Sequence, residues 1–223
     1  MVGWPMAVSF RRVEDGPCIF GYFSGAVKRP KTDLPGSLYC RMPEPAPTLP
    51  TLRTERLTLV ALTPEAYTAW AAGDAKALSA ATGIPFVDAA APPLLAEDLP
   101  KIRDLASAHW NPDAFGWWGW LATLTESGEP VGSVGFAGRP SDGVATIGYT
   151  VYERHQGHGY GTEATAAAVN WALSHEGVDG VRATIPDWNK PSVRMAEKIG
   201  FVMTGTAEDP EVGEVLVYEI GRP

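Results

Sequence analysis

The segment with the most chemical content runs Val151-Tyr152-Glu153-Arg154-His155-Gln156-Gly157-His158-Gly159-Tyr160-Gly161-Thr162-Glu163-Ala164. Three glycines stand at alternate positions between a β-type apolar run and a helix-forming stretch. Glycine lets backbone N–H groups approach a ligand with no Cβ in the way. The N-terminus of the following helix adds unpaired N–H groups and a partial positive charge. Together they make a cradle for phosphate. Arg154, His155 and His158 add positive character to it within an acidic chain. The same pattern also suits a tight strand-to-helix turn whose glycines only permit packing. The glycine spacing is not that of a dinucleotide fingerprint, and the Gly-Lys-Ser/Thr of a P-loop is absent.

A second block, Asn189-Lys190-Pro191-Ser192, opens a helix that Gly200-Phe201 closes. Asn189 is a favoured helix cap. Ser192 reads as a first-turn serine bonded to its own backbone. Trp117, Trp118 and Trp120 are grouped at a strand start, and Trp188 precedes Asn189. Aromatic residues there can line an acceptor groove, although core or rim packing accounts for most such residues.

The elements that must position these residues follow from periodicity and caps. Residues 56–62 alternate as a strand. Thr63-Pro64-Glu65 starts a helix with Thr63 as N-cap and Pro64 at its first position. Asp74 begins a second helix that Gly83 ends, and residues 98–110 form a third, stopped by Asn111-Pro112. Strands are expected at 118–124 and 131–137, joined by a turn at Glu126-Ser127-Gly128-Glu129, and at 144–151. The glycine loop and a helix span 156–175. A strand at 181–185, a helix at 190–199 ended by Gly200, and strands at 201–204 and 215–220 complete the order. That order, β-α-α-α-β-β-β-α-β-α-β-β, is a mixed α/β layer architecture.

Composition narrows the function. The chain has 223 residues with 45% apolar and 20% charged, which suits a soluble protein with a substantial core. A net charge of −8 argues against general nucleic-acid binding and is compatible with a cationic acceptor. No apolar run approaches the ~20 residues of a membrane span, and the first residues do not read as a secretory signal. A cytoplasmic protein, monomeric or homodimeric, is therefore expected. Cys18 and Cys40 are too few for a disulfide framework and read as free thiols. No Cys/His cluster has metal-ligand spacing, so no metal is expected. The proline-rich run at 43–50 divides the chain into an extension at 1–50, of charge +2, and a domain at 51–223, of charge −10.

Taken together, the two blocks resemble the GNAT superfamily of N-acetyltransferases. Gln156-Gly157-His158-Gly159-Tyr160-Gly161 is similar to the family's Gln/Arg-x-x-Gly-x-Gly/Ala signature. Its extension through Thr162-Glu163-Ala164, the Asn189–Phe201 block, and Thr54-Glu55-Arg56-Leu57-Thr58-Leu59 look like the RimJ/RimL-type branch. The resemblance covers residues 51–223. It implies a mostly antiparallel central sheet, with a splayed parallel pair in the middle and helices on both faces. It implies acetyl-CoA as co-substrate, lying against the strand edge at Tyr149, Thr150 and Val151. The pyrophosphate would sit on the backbone N–H groups of Gly157, His158, Gly159, Tyr160, Gly161 and Thr162, with Gln156 also in the cofactor site and Asn189 on the pantetheine arm. A backbone N–H near Val151 would polarise the thioester carbonyl, and Ser192 would donate to the leaving sulfur. Many relatives carry an acidic tyrosine seven residues after the Asn, where this chain has Ala196. Many also carry a strand Glu where this chain has Thr150. Glu153, Glu163 and His158 are the nearby candidates for a base, none of them favoured. The implied reaction is acetyl transfer to a primary amine, a peptide N-terminus or a small amine, by direct attack. A non-catalytic CoA-binding module and a transferase of another acyl-CoA are the alternatives.

Overall fold

The computed structural model describes residues 49–222. Both cysteines, and the extension expected before the Pro-rich run, lie outside the described residues. The first elements are strands β1 (Thr51–Arg53) and β2 (Leu57–Ala61) and helices α1 (Pro64–Ala71), α2 (Ala75–Thr82) and α3 (Pro93–Ala108). Strands β3 (Trp120–Leu124), β4 (Pro130–Phe136) and β5 (Val144–Val151) follow, then α4 (Tyr160–Leu173) and β6 (Gly180–Pro186). The chain closes with α5 (Lys190–Ile199), β7 (Val202–Asp209) and β8 (Gly213–Gly221). No helix among the described residues is long and apolar enough to cross a membrane.

Local chemistry explains most boundaries. The Thr63 hydroxyl accepts from the Ala66 N–H at 3.2 Å, and the Asp74 carboxylate from the Ala77 N–H at 2.9 Å. Gly83 and Gly200 close α2 and α5 in the left-handed conformation, at φ 71° and 106°, as C-caps require. Helix α3 starts five residues before the expected 98, because proline is well tolerated in a first turn; Pro100 then lies within it. Strand β7 runs past the expected Thr204 to Asp209. Its residues up to Glu208 are exposed, so no alternation marks it, and its ladder to β8 defines it.

All eight strands form one sheet in the order β1-β2-β3-β4-β5-β6-β8-β7. Every neighbouring pair is antiparallel except β5 and β6. Side chains alternate between faces along a strand, and the two cores follow that rule. Leu57, Leu59 and Ala61 of β2 and Trp120 and Ala122 of β3 pack with α4 and α5 residues such as Ala164, Ala168, Met195 and Ala196. Val60 of β2 and Leu121 of β3 pack on the other face with Tyr67, Trp70, Leu78 and Leu99 of α1, α2 and α3. Helices therefore cover both faces, as expected for this fold class. Trp117, Trp118 and Trp120 are buried in these cores, and Trp188 is 41% exposed.

Candidate active site

The parallel pair is joined only at its start. Val144 faces Gly180, Ala145 faces Val181 and Thr146 faces Arg182, and there the pairing ends. Beyond that point β5 stays bonded to β4 as far as Val151, while β6 stays bonded to β8 as far as Pro186. The two inner edges part, and an opening runs between them in the middle of the sheet.

Which groups face the opening follows from the ladder. The Tyr152 N–H donates to Val131 O, and Thr146 O accepts from the Ala137 N–H, both on the β4 side. Backbone polar groups alternate along a strand, so those of Thr150 turn to β4 and those of Tyr149 and Val151 turn to the opening. The Val151 carbonyl is taken by Gln156, whose Nε2 donates to it at 3.2 Å. The Val151 N–H and both backbone groups of Tyr149 remain.

The glycine loop sits at the end of that edge. Gly157 and Gly159 have φ of 80° and 82°, a region glycine enters without strain. Gly159 is the N-cap of α4 and supplies no side-chain cap. The Glu163 N–H is the first in the helix to find a turn partner, Gly159 O at 3.1 Å. Among the described residues, the N–H groups from Gly157 to Thr162 donate to none. At Gly161 a Cβ would come within 3.1 Å of Val151 Cγ2 and 3.4 Å of Met195 Sδ. The first turn of α4 is therefore tight against both β5 and α5.

The start of α5 completes the site. Asn189 caps it, with Oδ1 accepting from the Ser192 N–H at 3.3 Å. Its Nδ2 is buried with no partner among the described residues. The Ser192 hydroxyl bonds not its own backbone but the phenol of Tyr149, at 2.6 Å. Burial pushes that phenol up to about 12, against a lowering effect of the Ser192 contact. Ala196 is buried in the same helix.

Two contributions were invisible in the motifs. Tyr149 entered for its backbone, whereas its side chain spans the opening to α5. Arg56 lies far from the loop in sequence, yet its Nη1 donates to His158 O at 3.0 Å and its guanidinium lies 4.7 Å from the Tyr160 ring centroid. The only hint was its place in the Thr54–Leu59 block. Arg154 and His155, expected to lend positive charge to the loop, instead meet Glu129 at 3.1 and 3.0 Å. The exposed His158 ring stacks on Tyr160, at 5.7 Å between centroids.

Glu163, one of the candidate bases, is committed elsewhere. It accepts from the Thr54 hydroxyl at 2.6 Å, the Arg56 N–H at 2.8 Å and Arg56 Nε at 2.7 Å. Partial burial pushes its carboxyl up, but these hydrogen bonds and the guanidinium charge more than offset that, holding it below the usual carboxylate range. A lowered folded-state pKa stabilises above the unfolded value and is lost as pH falls through the folded one. Glu163→Gln is accordingly expected to cost about 1–2 kcal/mol at neutral pH. The gap to wild type should close in acid, which urea denaturation at both pH values would show.

A family profile described as an acetyltransferase (GNAT) domain matches residues 56–202, a span that includes the loop and the start of α5. The chain belongs to the GNAT acetyltransferase family. Members of this family are acyltransferases dependent on acetyl-CoA. The uncharacterized N-acetyltransferase YjdG of Bacillus subtilis strain 168 is 32% identical over 108 residues, 48% of this chain and 63% of that protein. The uncharacterized protein YkkB of the same strain is 34% identical over 84 residues, 37% of this chain and 49% of that protein. The matches thus span from about half to just under two thirds of those relatives' length. Among solved GNAT folds, an acetyltransferase from Agrobacterium tumefaciens strain C58 aligns with TM-score 0.53 and 26% identity, over 78% of this chain and 95% of that one.

Proposed function

We propose that this GNAT chain transfers the acetyl group of acetyl-CoA to a primary amine, the amine attacking directly while both substrates are bound. The observation that carries the reading is the opening between β5 and β6. It combines an unpaired strand edge, a helix N-terminus with free N–H groups, and a buried side-chain donor, Asn189 Nδ2, that lacks an acceptor among the described residues. An amide-containing pantetheine arm fits such an edge, and a pyrophosphate fits the N–H groups from Gly157 to Thr162. Acetyl-CoA supplies the acetyl group already activated as a thioester.

The chain's own groups then divide the work. The backbone of Tyr149 and Val151 holds the arm, and Asn189 Nδ2 meets one of its carbonyls. The Val151 N–H polarises the thioester oxygen as charge builds on it. Ser192 donates to the sulfur as it departs. One C–N bond forms and one C–S bond breaks; the nitrogen loses one proton and the sulfur gains one. Ala196 has no proton to give, and Ser192, one turn earlier on the same helix, takes the donor's role. Thr150 cannot serve as a carboxylate base. An acceptor with a substantial neutral fraction suits such a site: a peptide α-amine has a pKa of roughly 7.7–8.0, against about 10.4 for lysine. That favours a peptide N-terminus or a small weakly basic amine, as in the RimJ/RimL-like branch.

The test is turnover of acetyl-CoA and succinyl-CoA against N-terminal peptides, lysine peptides, polyamines and aminoglycosides. Acetylation of N-terminal peptides is the expected result. CoA binding with no turnover of any amine would make the chain a binding module, and a preference for succinyl-CoA would change the donor.

We further propose that the domain at 51–223, entered through Leu49 and Pro50, suffices for this activity. A chain beginning at Met42 retains Leu49, which packs on the core, and Pro50, whose carbonyl accepts from the Ala61 N–H at 3.0 Å. It should melt within a few degrees of the full chain and turn over at the same rate. A larger drop, or insolubility, would make the extension part of the domain.

A further inference from the structure

Ser192 Oγ and Tyr149 Oη are 2.6 Å apart, and neither has another side-chain partner among the described residues. Two hydroxyls carry two hydrogens, and the contact between them uses one. The other has no acceptor among the described residues, at a place where Ser192 is 0% and Tyr149 7% exposed. Buried polar groups are normally paired, so this donor points to an acceptor brought by a ligand. Asn189 Nδ2, on the residue that caps Ser192, is another such donor.

Acidity decides which hydrogen is left over. A phenol is a stronger acid than an aliphatic alcohol, hence the better donor and the poorer acceptor. The favoured arrangement has Tyr149 donating to Ser192 Oγ, which frees the Ser192 hydrogen. Burial keeps the phenol protonated well past neutral pH, so the arrangement holds over the working range. The contact also crosses the opening, from β5 to the start of α5 after β6.

We infer that Tyr149 is a positioning residue, whose phenol fixes the Ser192 hydroxyl so that its hydrogen is presented to the departing sulfur. The inference rests on the reading of Ser192 as the sulfur's donor and adds what aims it. Only a hydrogen bond is assigned to the pair.

The test is an ultraviolet titration of the CoA thiol bound to the full chain, with desulfo-CoA as the blank. A donor aimed at sulfur favours the thiolate, so the bound thiol should titrate below free CoA. Tyr149→Phe should raise that titration by about one pH unit, a tenfold loss of thiolate at a given pH. Ser192→Ala should raise it at least as far, and the double variant no further than Ser192→Ala alone, because one residue acts through the other. CoA affinity in mild acid should hold, and turnover should show a lower kcat with unchanged KM for acetyl-CoA. Should Tyr149→Phe fail to fold, fluorotyrosine at position 149 keeps the packing and makes the phenol a stronger donor. It should lower the titration.

If Tyr149→Phe titrates with wild type while Ser192→Ala shifts, Ser192 is aimed without Tyr149; the inference fails and the proposed function stands. Additive shifts in the double variant would mean that Tyr149 acts on its own, which also overturns it. No shift with fluorotyrosine overturns it as well. Failure of the wild-type chain to bind CoA would remove the proposed function and the inference together.

Discussion

Replacing Gly159 by Asp is expected to lower the affinity for acetyl-CoA at least about a hundredfold, equivalent to about 2.7 kcal/mol, while the protein stays folded. Gly159 caps α4 at φ 82°, ahead of N–H groups that have no partner among the described residues. Asp tolerates the left-handed region better than most residues, so the strain at φ 82° is about 1 kcal/mol and the fold survives it. The charge is another matter. Two like charges 4 Å apart at an effective dielectric of 20 repel by about 4 kcal/mol, so a carboxylate in a phosphate cradle opposes its ligand directly. A Cβ at this position would also lie 3.4 Å from Arg56 Nη2, so the new carboxylate would compete with Glu163 for the guanidinium that borders the loop. Gly159→Asn has the same shape without the charge and should lose less than about tenfold. Calorimetry on both variants separates the causes. Equal losses would mean that shape, not charge, governs the loop. Wild-type affinity in the Asp variant would remove the loop from the phosphate site.

How much of this was legible depended on whether the information is local. The loop, the Thr63 and Asp74 caps and the Asn189–Gly200 helix follow from spacings of a few residues, because cap and glycine chemistry act within one turn. The parting of β5 from β6 is not written in either strand; both read as ordinary apolar runs, and only the register shows where pairing stops. Arg56 escaped notice because the loop it borders is about a hundred residues away. Alternation puts the Tyr149 side chain on the face of Val151, but nothing in the sequence says that Ser192 will meet it there. Strand β7 was cut short for a different reason: hydrophobic alternation marks a half-buried strand, and an edge strand exposed along its length has none.

The tryptophans show the same limit and give the largest effect on stability. Trp117→Ala is expected to cost about 3–5 kcal/mol, a large share of the ~5–15 kcal/mol that holds a typical domain folded. Trp117 is 1% exposed. Its ring lies 4.7 Å from that of Trp171, 5.3 Å from His175 and 5.5 Å from Phe136, and Trp171 lies a further 5.1 Å from Trp120. Trp171 belongs to α4, so this aromatic cluster fastens to the sheet the helix whose N-terminus forms the proposed cradle. Little space remains to collapse into: a Cβ at Gly116 would strike the rings of Trp120 and Trp171. The melting temperature should fall on the order of 10 °C. Acetyl-CoA affinity should weaken well below the melting point, because α4 loses its fixed seat. Trp188→Ala is the contrasting case. That ring is 41% exposed beside Asn189, so stability should change by less than about 0.5 kcal/mol, and any effect should be on KM for the amine. Trp117→Ala melting within two or three degrees of wild type (~1 kcal/mol) would show that the cluster does not secure α4. A large loss of stability in Trp188→Ala would remove it as a candidate for the acceptor groove.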